Sequence, residues 1–197
     1  CLVEEGRTTS YDIDLTGRGD ARLSGLLQID GAAPGAWRAS LITGQLFDGS
    51  QGADCGLGAD GRFELVAPGA GSYRLVLMGA IEERGLQALV APVELVVGTT
   101  PWSLDLRTGS LIVENVPVPS GSDPERVHLW QGPGDLLCLT AILPDSEGRC
   151  LLPRVPLGPG RLVDLPAQDR PVADPSQWAA LVTCDVQLGQ TNRVTLP

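Results

Sequence analysis

Gly61-Arg62-Phe63-Glu64-Leu65 and Gly71-Ser72-Tyr73-Arg74-Leu75-Val76 recur as Gly148-Arg149-Cys150-Leu151-Leu152 and Gly158-Pro159-Gly160-Arg161-Leu162-Val163, both at a separation of 87 positions. Each fragment alternates apolar and polar residues behind a glycine, the period of a half-buried strand entered from a turn. A constant separation over two successive strands marks an internal repeat, so the chain reads as one unit built twice. Upstream, Arg38 and Leu41 fall opposite Arg126 and Leu129 at a separation of 88. Downstream, Thr99-Thr100-Pro101-Trp102-Ser103-Leu104-Asp105-Leu106 echoes Thr8-Thr9-Ser10-Tyr11-Asp12-Ile13-Asp14-Leu15 at 91, and Gly189 to Leu196 is a weaker third copy. These endings divide the chain into residues 1–15, a terminal strand of a preceding repeat or an exchanged strand, a β-sandwich domain at 16–106 and a second at 107–197. The linker is little more than Arg107-Thr108-Gly109, so the two domains are expected end to end with limited freedom.

Inside each copy the runs are short. Leu23, Gly25, Leu27 and Ile29 share one parity, as do Tyr73, Leu75 and Leu77, with Arg, Glu, Ser or Asp often between them. Asp30-Gly31, Ala59-Asp60-Gly61, Pro68-Gly69 and Ser146-Glu147-Gly148 supply turn residues that tolerate positive φ. Six or seven such strands per copy suffice for a sandwich. Only Ile81 to Leu89 and Ser176 to Leu181 are compatible with a short helix. The expected class is all-β, a tandem of Ig-like or transthyretin-like (prealbumin-like) β-sandwich domains.

Asp60-Gly61-Arg62-Phe63-Glu64-Leu65, followed by Pro68-Gly69-Ala70-Gly71-Ser72-Tyr73-Arg74-Leu75-Val76-Leu77, resembles the carboxypeptidase regulatory-like domain, a transthyretin-like sandwich also similar to Cna-B repeats. The second copy departs from the pattern: Cys150 stands where Phe63 does and Gly160 where Tyr73 does. The resemblance implies a non-catalytic module, often in tandem in secreted or surface bacterial proteins. Cna-B domains often carry a Lys–Asn crosslink, and this chain has no lysine.

Composition narrows the function classes. All 14 basic residues are arginine, against 24 acidic ones, and the net charge of −10 opposes a phosphate backbone, so nucleic acid is not an expected partner. Without lysine there is no Schiff base and no Walker lysine. At 43% apolar residues the chain is too hydrophobic for disorder, yet no apolar run approaches the ~20 residues of a membrane span. The sequence begins at Cys1 with Met78 its only methionine, which reads as a processed end or a cut within a longer chain; a mature bacterial lipoprotein also presents such a cysteine. Five cysteines without a C-x-x-C pair signal neither a zinc site nor a full disulfide framework. Cys138 and Cys150 flank a turn and would pair if their strands were neighbours, with buried thiols as the alternative.

Candidate site residues are few. Asp48, Asp54 and Asp60 lie in a Gly-rich stretch whose oxygens suit a hard cation such as calcium, without EF-hand spacing, and solvated turn carboxylates are the favoured reading. His128 is the single histidine, and no nucleophile motif accompanies it. Alternation in Arg126-Val127-His128-Leu129-Trp130 puts His128 and Trp130 together on the face opposite Val127 and Leu129, which makes them candidates for an outward contact surface. Arg18-Gly19-Asp20 spells an integrin tripeptide but reads as an interdomain turn. The resulting expectation is a non-enzymatic structural or interaction module of a bacterial extracellular or cell-surface protein, a spacer, adhesion or assembly unit without a cofactor. Its partners are neighbouring repeats or further copies, polymerising head to tail through the N-terminal strand. The alternative is a carbohydrate-binding module attached to a larger hydrolase, contacting polysaccharide through exposed tryptophans.

Overall fold

The structure, a computed structural model, describes residues 20–43, 53–80, 86–117, 127–132, 137–140, 144–165 and 180–197. All of the regular structure among them is strand. The first seven strands are β1 (Ala21–Ile29), β2 (Trp37–Ile42), β3 (Asp54–Gly56), β4 (Arg62–Ala67), β5 (Gly71–Ala80), β6 (Leu86–Leu95) and β7 (Gly98–Leu106). The second seven are β8 (Thr108–Glu114), β9 (Val127–Gln131), β10 (Leu137–Thr140), β11 (Cys150–Pro156), β12 (Gly158–Leu165), β13 (Ala180–Val186) and β14 (Thr191–Thr195). Both sets follow one pairing order. Their three-stranded sheets run β4-β1-β7 and β11-β8-β14, with the first partner antiparallel and the second parallel. Their four-stranded halves run β3-β2-β5-β6 and β10-β9-β12-β13.

Alternation builds the core as the sequence suggests. β1 has the burial pattern of a strand with one wet face, and Ala21, Leu23 and Leu27 are fully buried. Phe63 and Leu65 on β4 and Leu75 and Leu77 on β5 join them in a cluster that continues through Leu111, Leu152 and Leu162. Each fully buried leucine contributes about 1.5–3 kcal/mol of apolar transfer. Where helix was admitted, Leu86 to Leu89 lie in β6 and Ala180 to Leu181 in β13, because ladder pairing with β5 and β12 overrides weak local propensity.

The two sets are joined by more than a linker. Only Arg107 separates β7 from β8, and both sides hold it: Leu157 donates its amide to Arg107 O at 3.0 Å. The Asp30 carboxylate accepts from the Thr108 amide at 2.9 Å and from its hydroxyl at 2.6 Å. Asp30 adopts φ 55° beside Gly31 at 78°, the turn expected there, and that turn aims the carboxylate across at the start of β8. The sets are also joined edge to edge, rather than end to end as expected, because β6 pairs antiparallel with β10 and makes the two four-stranded halves one eight-stranded sheet.

Candidate functional site

The seam between β6 and β10 pairs uncharged segments. Leu137, Cys138, Leu139 and Thr140 stand opposite Val90, Leu89, Ala88 and Gln87. Pro92 lies beyond that segment, where β6 has no described neighbour on its β10 side, a place at which a strand tolerates a missing amide. One cross-strand row runs through the whole sheet: Cys55, Ala39, Leu77, Leu89, Cys138, Trp130, Leu162 and Val182. Ala39, Leu77, Leu89, Trp130 and Leu162 are each no more than 1% exposed, so the seam continues the core instead of interrupting it.

Trp130 therefore corrects the expectation of an outward contact surface: it is completely buried. The cause is register. Arg74 pairs with Ile42 and Arg161 with Gln131, so the counterpart of Leu41 is Trp130, at a separation of 89 where sequence matching gave 88. A one-residue slip moves every side chain of a strand to the other face. The fold also makes room for the indole, because a Cβ on Gly160 would lie 2.2 Å from Trp130 Cζ2. Gly79 does the same for Trp37, whose Nε1 would stand 2.2 Å away. Trp130 Nε1 has no hydrogen-bond partner among the described residues.

His128 sits on β9 with its backbone opposite Asp164, and its side chain lies outside the described residues. Asp54, on β3, is ion-paired with Arg38 on β2. Asp60, in the turn before β4, accepts from the Arg62 amide at 3.1 Å and pairs with its guanidinium at 3.2 Å. Both carboxylates thus serve neighbouring arginines; Asp48 lies outside the described residues, as do residues 1–15. No group of three His, Cys, Asp or Glu among the described residues is arranged to hold a metal ion. Cys138 and Cys150 lie in different sheets, opposite Leu89 and Val113 respectively. Cys55 and Cys184 are half-buried thiols on β3 and β13. Burial raises both above the ordinary thiol value, with the charge of Asp54 adding to the first and that of Asp185 to the second.

A depression of about 600 Å³ lies along β9, β12 and β13, lined by Gln131, Pro159, Gly160, Arg161, Thr183 and Asp185 among others. The Arg161 Nε donates to Gln131 Oε1 at 2.6 Å inside it. Among the described residues its wall holds no aromatic side chain, and Gln131, Arg161, Thr183 and Asp185 supply its hydrogen-bonding groups. Two features here were not found from sequence: the Asp30 carboxylate on Thr108 and the β6·β10 seam. Asp30-Gly31 signalled the turn, but a partner 78 positions away leaves no local signature.

No protein-family model matches the chain, and no curated protein matches it. Among solved structures it is similar to the Bacillus anthracis TIE protein, at 14% identity and a TM-score of 0.35 over 90% of this chain and 34% of that one. It is also similar to a streptococcal ancillary pilin, at 11% identity and a TM-score of 0.31 over 90% of this chain and 62% of the pilin. A DUF3823 family protein from Bacteroides uniformis matches at 13% identity and a TM-score of 0.32, over 85% of this chain and all of that one. The chain spans about a third of the length of the first and under two thirds of the second. The strand pairing of the chain itself defines the fold. No helix among the described residues is long and apolar enough to cross a membrane.

Proposed function

We propose that the chain is a non-catalytic structural module of a bacterial extracellular or cell-surface protein, made of two sandwich domains at residues 16–106 and 107–197 and serving as a spacer, adhesion or assembly unit. The observation that carries this reading is the eight-stranded sheet shared by the two strand sets, together with the clamp of Asp30 on Thr108. A connection made both by a ladder and by a one-residue linker resists bending at the point where tandem modules usually hinge. The surface setting is supported by the resemblance of Asp60 to Leu77 to the carboxypeptidase regulatory-like and Cna-B-like pattern. Residues 1–15 add a strand to a neighbouring copy in this reading, and an unchanged oligomer mass after their deletion excludes that step.

Small-angle scattering from dilute protein tests the module. One rigid particle, with a distance distribution that matches the joined sheet, is the expected result. A broad distribution from two bodies on a free tether overturns it. The carbohydrate-binding alternative rests on the depression around Gln131 and Arg161, and equilibrium dialysis against polysaccharide panels decides it directly.

A further inference from the structure

Among the described residues the eight-stranded sheet ends in β3 on one side and β13 on the other. The seam in its middle joins counterparts of those same two strands, since β6 is the sixth strand of the first set as β13 is of the second, and β10 is the third strand of its set as β3 is. We infer that β13 of one molecule pairs antiparallel with β3 of a second copy, repeating the β6·β10 contact, so that the sheet continues from molecule to molecule. This surface is separate from residues 1–15 and stands or falls independently of strand exchange there.

Three observations support it. The seam shows that this kind of edge accepts this kind of strand within one chain. Most of the β13 edge is unblunted: Ala180-Leu181-Val182-Thr183-Cys184 holds no charge and no proline, the residues that usually guard an edge, and the strand's one charge, Asp185, stands near its end. The β3 edge has its polar groups turned the right way. Leu41 donates its amide to Ala53 O and Leu57 donates to Trp37 O, each at 2.9 Å. In an antiparallel ladder Ala53, Cys55 and Leu57 then face β2, while the amides and carbonyls of Asp54 and Gly56 point away from it. The inward row of the sheet also ends in the half-buried side chains of Cys55 and Val182, and a following molecule would bury each. The two surfaces differ from each other, so the contact is heterologous and runs head to tail from copy to copy, not as a two-fold pair.

Sedimentation velocity over a concentration series, with hydrogen exchange on the same samples, tests this on the full chain. The expected result is a population that grows past twice the 20.6 kDa monomer, with amide protection rising on both Ala53–Leu57 and Ala180–Val186. Gly56→Pro removes an amide that faces away from β2, at a position where an added Cβ meets nothing within 4 Å. It is expected to return the protein to monomer and to release the protection on β13 as well, while Gly56→Ala leaves assembly intact. A monomer at every concentration with both edges exchanging freely overturns the inference. So does a dimer protected on β13 alone and indifferent to Gly56→Pro, which would mean that β13 pairs with itself. Assembly that disappears on deleting residues 1–15, with both edges unprotected throughout, assigns it to the N-terminal strand and also overturns the inference. If Gly56→Pro fails to fold by thermal melting, the protection pattern of the unaltered chain decides alone.

Discussion

The central row of the first three-stranded sheet is Phe63, Gly25 and Trp102; in the second it is Cys150, Val113 and Val194. In the first, the middle strand contributes no side chain and Phe63 lies over the gap, so close that a Cβ on Gly25 would stand 2.0 Å from its Cζ. Phe63 and Trp102 meet there with ring centroids 5.9 Å apart and planes at 54°. In the second, three side chains of moderate size stand abreast, and all are buried. The same slot is thus filled by two rings around a glycine or by three smaller groups side by side. Packing constrains each row without dictating the residue types that fill it. Where the first set has the aromatic Phe63, the second has Cys150, and Val113 in place of Gly25 fills part of the space beside it.

Exchanging parts of the two rows gives the largest expected effect. Phe63→Cys alone empties the space above Gly25 and should cost about 3–5 kcal/mol, read as a lowered urea midpoint at unchanged slope. Adding Gly25→Val copies the second row's Cys–Val pair and should recover about 1–3 kcal/mol. Simple additivity in the double variant would show that the rows are not interchangeable solutions. Next in size, Gly79→Ala and Gly160→Ala each press a methyl against an indole, and each should cost about 1–3 kcal/mol by thermal or chemical unfolding. Unequal losses would reveal which set has the more yielding core. Asp30→Ala, which strands the Thr108 amide and hydroxyl, should cost about 1–3 kcal/mol, and Asp30→Asn less. Neither should be mimicked by Asn115, the only other non-glycine residue at positive φ among the described residues, whose amide reaches Leu196 O at 3.5 Å.

The smallest effect compares the two edge thiols. Burial is the first cause of the upward shift at both Cys55 and Cys184, so the folded chain keeps these protons to higher pH than the unfolded chain does. The stability linked to them is complete below the ordinary thiol range and is lost as pH rises through the raised values. Alkylation by iodoacetamide should lag behind that of an unfolded control at mildly alkaline pH, and equal rates would show that neither thiol is shielded.

Much of the architecture was legible because alternation and turn chemistry act over a few residues. Leu23, Leu27, Leu65, Leu75 and Leu77 were all placed on inward parities, and all are buried. Parity in β9 failed for a definite reason: Arg126-Val127-His128-Leu129-Trp130 offers apolar residues on both faces, so alternation alone could not choose between them, and the tryptophan face is the buried one. The seam was not legible at all. Leu137-Cys138-Leu139-Thr140 carries no sign of which edge it will meet, since backbone pairing sets the choice and adds no pattern of its own. Asp54 and Asp60 show a similar limit, because their spacing did not reveal that Arg38 and Arg62 would engage them.

The parallel pairing of first and last strands has a mechanical consequence. β1 and β7 lie side by side in register from Ala21 with Gly98 to Ile29 with Leu106, and β8 lies likewise beside β14. Tension entering at the start of β1 and leaving at the end of β7 pulls these neighbours along their length in opposite senses. Their hydrogen bonds are then loaded together in shear, where an antiparallel hairpin pulled at its open end would unzip one bond at a time. The short β7–β8 link passes the same load to the next pair, so each set meets a pulling force with its longest parallel ladder.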